Sequence, residues 1–203
     1  MVFLVLGAAY VLGSIPGAVL VGRLWGVRIT EKGSTNPGTA NVLRLLGKGP
    51  ALLCLLLDAG KGILAVFLGE MAGLGLGATG AVIAGHNWSI FLRGRGGKGI
   101  ATMAGALLII SPLTLPILAL IFLIINYFTS YIAVSSVLAG VFLPVLLHWQ
   151  LEMGGLWLGI VIAVMLILKH WNNLRFTLRG EEKRKNILRG LISKGGEGNE
   201  RKD

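Results

Sequence analysis

Two short stretches gather most of the groups in this chain that could hold an anion. Residues 31–44 read EKGSTNPGTANVLR, and residues 85–102 read GHNWSIFLRGRGGKGIAT. The first combines Gly33, Ser34, Asn36, Gly38, Thr39 and Asn41, and Arg44 arrives as the next helix begins. Small residues let backbone N–H groups approach an anion, hydroxyls and amides donate to it, and arginine grips a phosphate with two parallel bonds. The same composition also suits an ordinary Pro-Gly turn with Ser34 or Thr39 capping a helix. The second stretch sets Arg93, Arg95 and Lys98 among Gly94, Gly96, Gly97 and Gly99, just ahead of an apolar run. An anion there would meet side-chain charge together with the free N–H groups of a helix start. A nucleotide-binding loop of the G-x-x-x-x-G-K-[ST] type is excluded. Leu92 stands at its first glycine, and Gly99 replaces the hydroxyl that would hold magnesium.

Two smaller groupings add ionisable side chains. Asp58 and Lys61, in LLLDAGKGILA, lie three residues apart and so on one helical face. Charges inside an apolar helix mark either a functional site or a buried pair that fixes packing. The segment KHWNNLR brings Lys169, His170, Asn173 and Arg175 to the end of another apolar run. His86 and His170 are candidate bases, although a lone interfacial histidine also serves as a cap or snorkelling group. His148 falls at the opposite end of the apolar segments.

The elements that must position these groups are membrane helices. Hydrophobic residues make up 54% of the 203 and charged residues 14%, and mean hydropathy is +0.77, outside the range of soluble domains. About 20 apolar residues cross a bilayer core as a helix. That length predicts spans at 2–24, 50–70, 72–91, 98–111, 113–129, 131–148 and 154–171. The expected fold is therefore all-α, a polytopic membrane protein of about seven transmembrane helices. Five or six remain open, because Ser111-Pro112 and residues 126–130 are short separators. The 31 glycines are scattered among Leu, Ile, Val and Ala, as close helix contacts in a bilayer require. The single cysteine, Cys54, excludes a disulfide framework and a Cys-based metal site within the chain.

Charge placement orients these helices. With the N-terminus outside, residues 25–49, 92–98, 126–131 and the segment from Lys169 onward lie in the cytoplasm and hold 17 of the 19 Lys and Arg residues. That asymmetry follows the positive-inside rule, which alone would also account for Arg93, Arg95 and Lys98. A single transmembrane catalytic domain is expected over 1–175, with a basic cytoplasmic tail at 176–203. That tail holds eight Lys and Arg against five Asp and Glu, +3 of the net charge of +10, and fits attraction to anionic lipid headgroups; nucleic-acid binding is not expected.

The anion-binding groupings all fall on the cytoplasmic face, which favours one composite site for phosphorylated, membrane-associated substrates. A transporter of a phosphorylated anion is the alternative. It would need a polar route through the outer half, where stretches such as ALLIISPLTLPILALIF are almost wholly apolar. A noncatalytic lipid-binding scaffold would leave Ser34, Arg44 and Lys98 individually dispensable.

These residues resemble the bacterial acyl-phosphate:glycerol-3-phosphate acyltransferases. The match runs through GSIPGAVLVGR at Gly13, GSTNPGTANVLR at Gly33, DAGKG at Asp58, GHNWSIFLRGRGGKGIAT at Gly85, TSYIAVSS at Thr129 and KHWNNLR at Lys169. The resemblance implies a bacterial inner-membrane enzyme with its site facing the cytoplasm. It would transfer an acyl group from acyl phosphate to the 1-hydroxyl of glycerol 3-phosphate, giving lysophosphatidate and phosphate. No metal, organic cofactor or obligatory protein partner is implied. Glycerol 3-phosphate would be held by Ser34, Arg44, Lys98, His170 and Asn173, and acyl phosphate by Gly38, Thr39, Asn41 and Ser136. Lys98 would also act in catalysis. The attacking hydroxyl would lose its proton to a substrate phosphate or to His86 or His170, with Asp58 and Lys61 as a supporting ion pair. Three positions depart from the family pattern: Ser89 where proline is usual, Gly94 where a large apolar residue is common, and Trp171 where arginine is frequent. The soluble-face acyltransferase signature, His and Asp separated by four residues, is absent, since Phe91, Met153 and Arg175 stand at the required positions.

Overall fold

The structure is a computed structural model that describes residues 1–182 and 185–187. Most of the expected tail lies outside the described residues. Within them the chain is all helical, as its pattern predicts. Its helices are α1 (Val2–Ser14), α2 (Gly17–Leu24), α3 (Thr39–Leu46), α4 (Lys48–Met71), α5 (Gly75–Asn87), α6 (Ile100–Ile110), α7 (Thr114–Thr129), α8 (Ile132–Gly140) and α9 (Leu143–Leu178). Three helical stretches are long and apolar enough to cross a membrane, namely Val2–Leu24, Lys48–Met71 and Ile132–Leu178. Ile100–Ile110 and Thr114–Thr129 are shorter apolar helices.

The first expected span is two helices rather than one. Pro16 has no N–H to continue the ladder, so α1 ends and α2 restarts. Two buried side chains from other elements satisfy the freed carbonyls. Lys61 Nζ donates to Ile15 O at 2.8 Å, and Ser89 Oγ donates to Ser14 O at 2.5 Å. Ser89 thus ties the segment after α5 to the helix break.

α9 also departs from a simple rod. At Glu152 the backbone turns to φ 53°, and the chain reverses. A Cβ at Gly155 would lie 2.2 Å from Leu147 O, and one at Gly159 would lie 2.5 Å from Pro144 Cα. Residues 144 and 159 would be roughly 22 Å apart on a straight helix at about 1.5 Å per residue, so such contact requires a hairpin. The expected spans 131–148 and 154–171 form its two arms, the first shared between α8 and the start of α9.

Paired small residues join the other helices. Between α1 and α5, a Cβ at Gly13 would meet Val82 O at 2.1 Å and one at Gly85 would meet Tyr10 O at 2.1 Å. Between α4 and α6, Gly62 faces Thr102 O at 2.2 Å and Gly105 faces Ala59 O at 2.0 Å by the same measure. These reciprocal seams let antiparallel backbones touch, the packing that replaces a hydrophobic driving force in lipid. α5 lies at the centre, against α1, α4, α6 and α9. The main core includes Val66, Val82, Leu107, Leu143 and Ile162. A second cluster of Ala18, Val21, Ile29, Val42, Ala51 and Cys54 supports the loop ahead of α3.

Candidate active site

The loop ahead of α3 is organised by one buried amide. Asn41 Oδ1 accepts from the Ser34 N–H at 2.9 Å, and its Nδ2 donates to Ile29 O and Lys32 O, each at 3.0 Å. Gly33 makes room for it: its φ is 65°, and a Cβ would stand 2.3 Å from Asn41 Oδ1. The amide expected to touch acyl phosphate is therefore committed to shaping the loop. Gly38 caps α3 at its N-terminus, where the first N–H groups of a helix lack partners within it. Thr39 Oγ1 faces inward to Cys54 Sγ at 3.5 Å. Ser34 and Arg44 are exposed, and Arg44 makes no ion pair among the described residues.

The second loop runs from α5 through a short helical turn, Ile90–Leu92, to Gly99 ahead of α6. Gly99, at φ 78°, delays the start of α6 to Ile100 rather than the expected 98. Gly94, at φ 79°, adopts a left-handed conformation that a large apolar residue would resist. Gly97 lies where the two loops meet. A Cβ there would be 2.3 Å from His86 Nε2 and 2.9 Å from Pro37 O, while Gly97 N–H donates to His86 O at 3.1 Å. His86 is itself buried, with Nδ1 3.0 Å from Thr102 Oγ1 and 3.6 Å from Asp58 Oδ1.

α9 closes the other side. Lys98 Nζ donates to Asn173 Oδ1 at 2.7 Å, across 75 residues of sequence. Burial pushes the Lys98 ammonium below the usual lysine range, while Glu182 pulls it upward and Lys169 adds to the lowering. Lys169 donates to Asn87 O at 2.7 Å and Gly96 O at 3.1 Å, and lies over the Trp88 ring. It thereby pins the second loop to α9. His170 Nδ1 is 2.9 Å from Leu166 O, a contact that places the proton on Nδ1 and the lone pair of the neutral ring on Nε2. Trp171 stacks against Arg175, with the guanidinium 5.2 Å from the ring centre.

Asp58 and Lys61 underlie this assembly. Their charged atoms are 2.9 Å apart and almost wholly buried. Lys61 caps the broken end of α1, while Asp58 lies against Gly17, where a Cβ would come within 2.9 Å of its Oδ1. The pair joins α1, α2 and α4 beneath His86. Ser136 stands on α8, where its hydroxyl donates to Ile132 O at 2.8 Å; α8 packs on α7 and α9. Thr102 and Glu182 were absent from the expected set. Glu182 accepts from Asn173 Nδ2 at 3.4 Å and from Thr177 Oγ1, contacts that no motif or short spacing announces.

Comparison with known proteins bears on the family and the fold. The family model described as glycerol-3-phosphate acyltransferase matches residues 3–180. A glycerol-3-phosphate acyltransferase of Carboxydothermus hydrogenoformans is 37% identical over 187 residues, covering 90% of this chain and 95% of that one. Glycerol-3-phosphate acyltransferase 2 of Moorella thermoacetica is 48% identical over 147 residues, covering 70% of this chain and 76% of its own length. Among solved structures, the glycerol 3-phosphate form of PlsY (YgiH), an integral membrane glycerol 3-phosphate acyltransferase, superposes with a TM-score of 0.82 at 29% identity, covering 94% of this chain and 98% of that one. Its lysophosphatidic acid form gives a TM-score of 0.83 over the same shares. With motif order, helical architecture and nearly the full length in agreement, this integral membrane chain belongs to the glycerol-3-phosphate acyltransferase family.

Proposed function

We propose that the acyl donor is acyl phosphate, and that the chain joins its acyl group to the 1-hydroxyl of glycerol 3-phosphate to give lysophosphatidate and phosphate. The observation that carries this reading is the meeting of both glycine-rich loops at Gly97, Pro37 and His86, with Lys98 joined to Asn173 alongside. Such a site can hold two phosphates. An acyl phosphate is already activated, so the enzyme's task is to place the hydroxyl and stabilise the charge on the departing phosphate. Arg44, Ser34, Lys98, His170 and Asn173 grip glycerol 3-phosphate. Gly38 and Thr39 at the start of α3 cradle the acyl phosphate, Ser136 approaches from α8, and Asn41 shapes their loop.

The substrate hydroxyl attacks the acyl carbon, the carbon–oxygen bond to phosphate breaks, and phosphate leaves with the bonding pair. Its own oxygens or the Nε2 of His170 take the hydroxyl proton; His170 is favoured over His86 because its Nδ1 is tied to backbone. The chain crosses a bacterial inner membrane about seven times with its N-terminus outside. Residues 1–175 form one catalytic domain facing the cytoplasm, and 176–203 a basic tail on that face. Family membership sets the transporter alternative aside. The test is purified protein given acyl phosphate and labelled glycerol 3-phosphate, without acyl carrier protein or coenzyme A. Labelled lysophosphatidate and free phosphate in equal amounts are expected; product only on adding an acyl thioester would overturn the donor assignment.

A further inference from the structure

A cavity of about 380 Å³ at the inner end of α2 takes no part in the site described above. Val19, Val27 and Ile29 line it together with Arg23, Arg28, Thr30 and Glu31. Val19 and Arg23 place it at the end of the membrane-length stretch Val2–Leu24, where Leu20, Leu24 and Trp25 are exposed. Arg23 makes no ion pair among the described residues, while Arg28 is held by Glu31 at 3.2 Å. Two guanidinium groups and one carboxylate leave the cavity a net cation. Apolar side chains beside a guanidinium without an ion pair, at the end of a membrane-length helical stretch, suit a phosphate joined to a hydrocarbon chain better than a free anion.

We propose that this cavity binds the phosphate headgroup of one anionic phospholipid and that the bound lipid steadies the glycerol-phosphate loop. The connection is covalent and short. Ile29 to Glu31 form one wall, and Asn41 holds Ile29 O and Lys32 O with the same amide that accepts from the Ser34 N–H. Ile29 is also wedged against α2, where a Cβ at Gly22 would meet its side chain at 2.4 Å. A headgroup bridging Arg23 and Arg28 therefore restrains the N-terminal end of the segment from which Ser34 projects. Glu31 competes for Arg28 and tunes the affinity.

The experiment compares the full chain in bilayer nanodiscs of phosphatidylcholine alone and with added phosphatidylglycerol. It measures lipid retention by native mass spectrometry and the KM for glycerol 3-phosphate. One tightly retained phosphatidylglycerol is expected, with KM lowered about fivefold, the small end of site-to-site coupling. Simple surface charge would act the other way, since an anionic bilayer repels the substrate. Arg23→Gln should weaken retention about fivefold, as one basic group at a membrane surface is worth about that much. It should also remove the KM difference while leaving activity in phosphatidylcholine unchanged. Glu31→Gln should increase retention, which keeps the proposal testable if Arg23→Gln folds poorly. Retention and KM unaltered in both variants would overturn it. So would full displacement of the lipid by inorganic phosphate, because the cavity would then be a site for free anion.

Discussion

Arg44 and Lys98 hold their charge differently, and their variants should differ accordingly. Arg44 is exposed and unpaired among the described residues, whereas Lys98 is half-buried against Asn173. A lost charge-assisted contact is worth about 1.5–3 kcal/mol, or roughly 10- to 150-fold. Arg44→Ala and Lys98→Ala should each lower kcat/KM for glycerol 3-phosphate by that range, with thermal unfolding unchanged in Arg44→Ala. Unaltered kinetics in both would contradict a shared phosphate grip. Lys98 also predicts a pH dependence. Its pKa is lowered mainly by burial, and only the protonated form attracts phosphate. Affinity for glycerol 3-phosphate should therefore fall as pH rises through that lowered value, and Lys98→Arg should flatten the alkaline limb of the kcat/KM profile. Asn41 gives the contrasting case. Its removal leaves Ile29 O, Lys32 O and Ser34 N–H without their partner, at about 1–3 kcal/mol for a buried unsatisfied group. Asn41→Ala should lower the unfolding midpoint in detergent and raise KM together. The sequence marks Asn41, Lys98 and Asn173 as functional by residue type. That Asn41 is spent on the backbone while Lys98 meets Asn173 depends on how distant segments pack, which spacing does not encode.

Helix packing in this chain rests on small residues placed opposite one another, so selected glycines should be intolerant of a single methyl group. Gly62→Ala or Gly105→Ala would put a Cβ within 2.2 Å or 2.0 Å of a backbone oxygen on the facing helix. Overpacking typically costs about 1–3 kcal/mol, so each should lower the thermal midpoint in detergent and separate α4 from α6. Gly60→Ala, with open space around its Cβ position, is the matched control and should melt like the parent; equal behaviour of all three would refute the seam. Element positions were largely legible, because long apolar runs bounded by glycine, proline and charge give strong signals. The reversal at Glu152 falls in the gap between the expected spans 131–148 and 154–171, whereas the break at Pro16 was less legible. A proline inside an apolar run permits either a kink or an interruption. Here the outcome is decided by Lys61 and Ser89, which arrive from other elements to satisfy the exposed carbonyls.

At the scale of the whole molecule, the positive-inside pattern makes a prediction that labelling can check. In a background where buried Cys54 is replaced by alanine, Arg95→Cys should react with an impermeant thiol reagent only from the cytoplasmic side, and Gly154→Cys only from outside. The reverse pattern would invert the proposed topology and place both loops away from the cytoplasmic substrate pool. Hydropathy, charge asymmetry and ordered motifs were enough to establish a membrane protein, approximate its helices and indicate its family, because each is a property of the linear chain. Segments more than 70 residues apart make the pairings that complete the site, as in Lys98 with Asn173, Lys169 with Asn87 and Gly96, and Ser89 with Ser14. Tertiary structure alone decided which polar groups remain available and which are spent on holding the fold. The physical reason is that helix register and the reciprocal glycine contacts set those distances, and a few ångströms separate a hydrogen bond from no interaction.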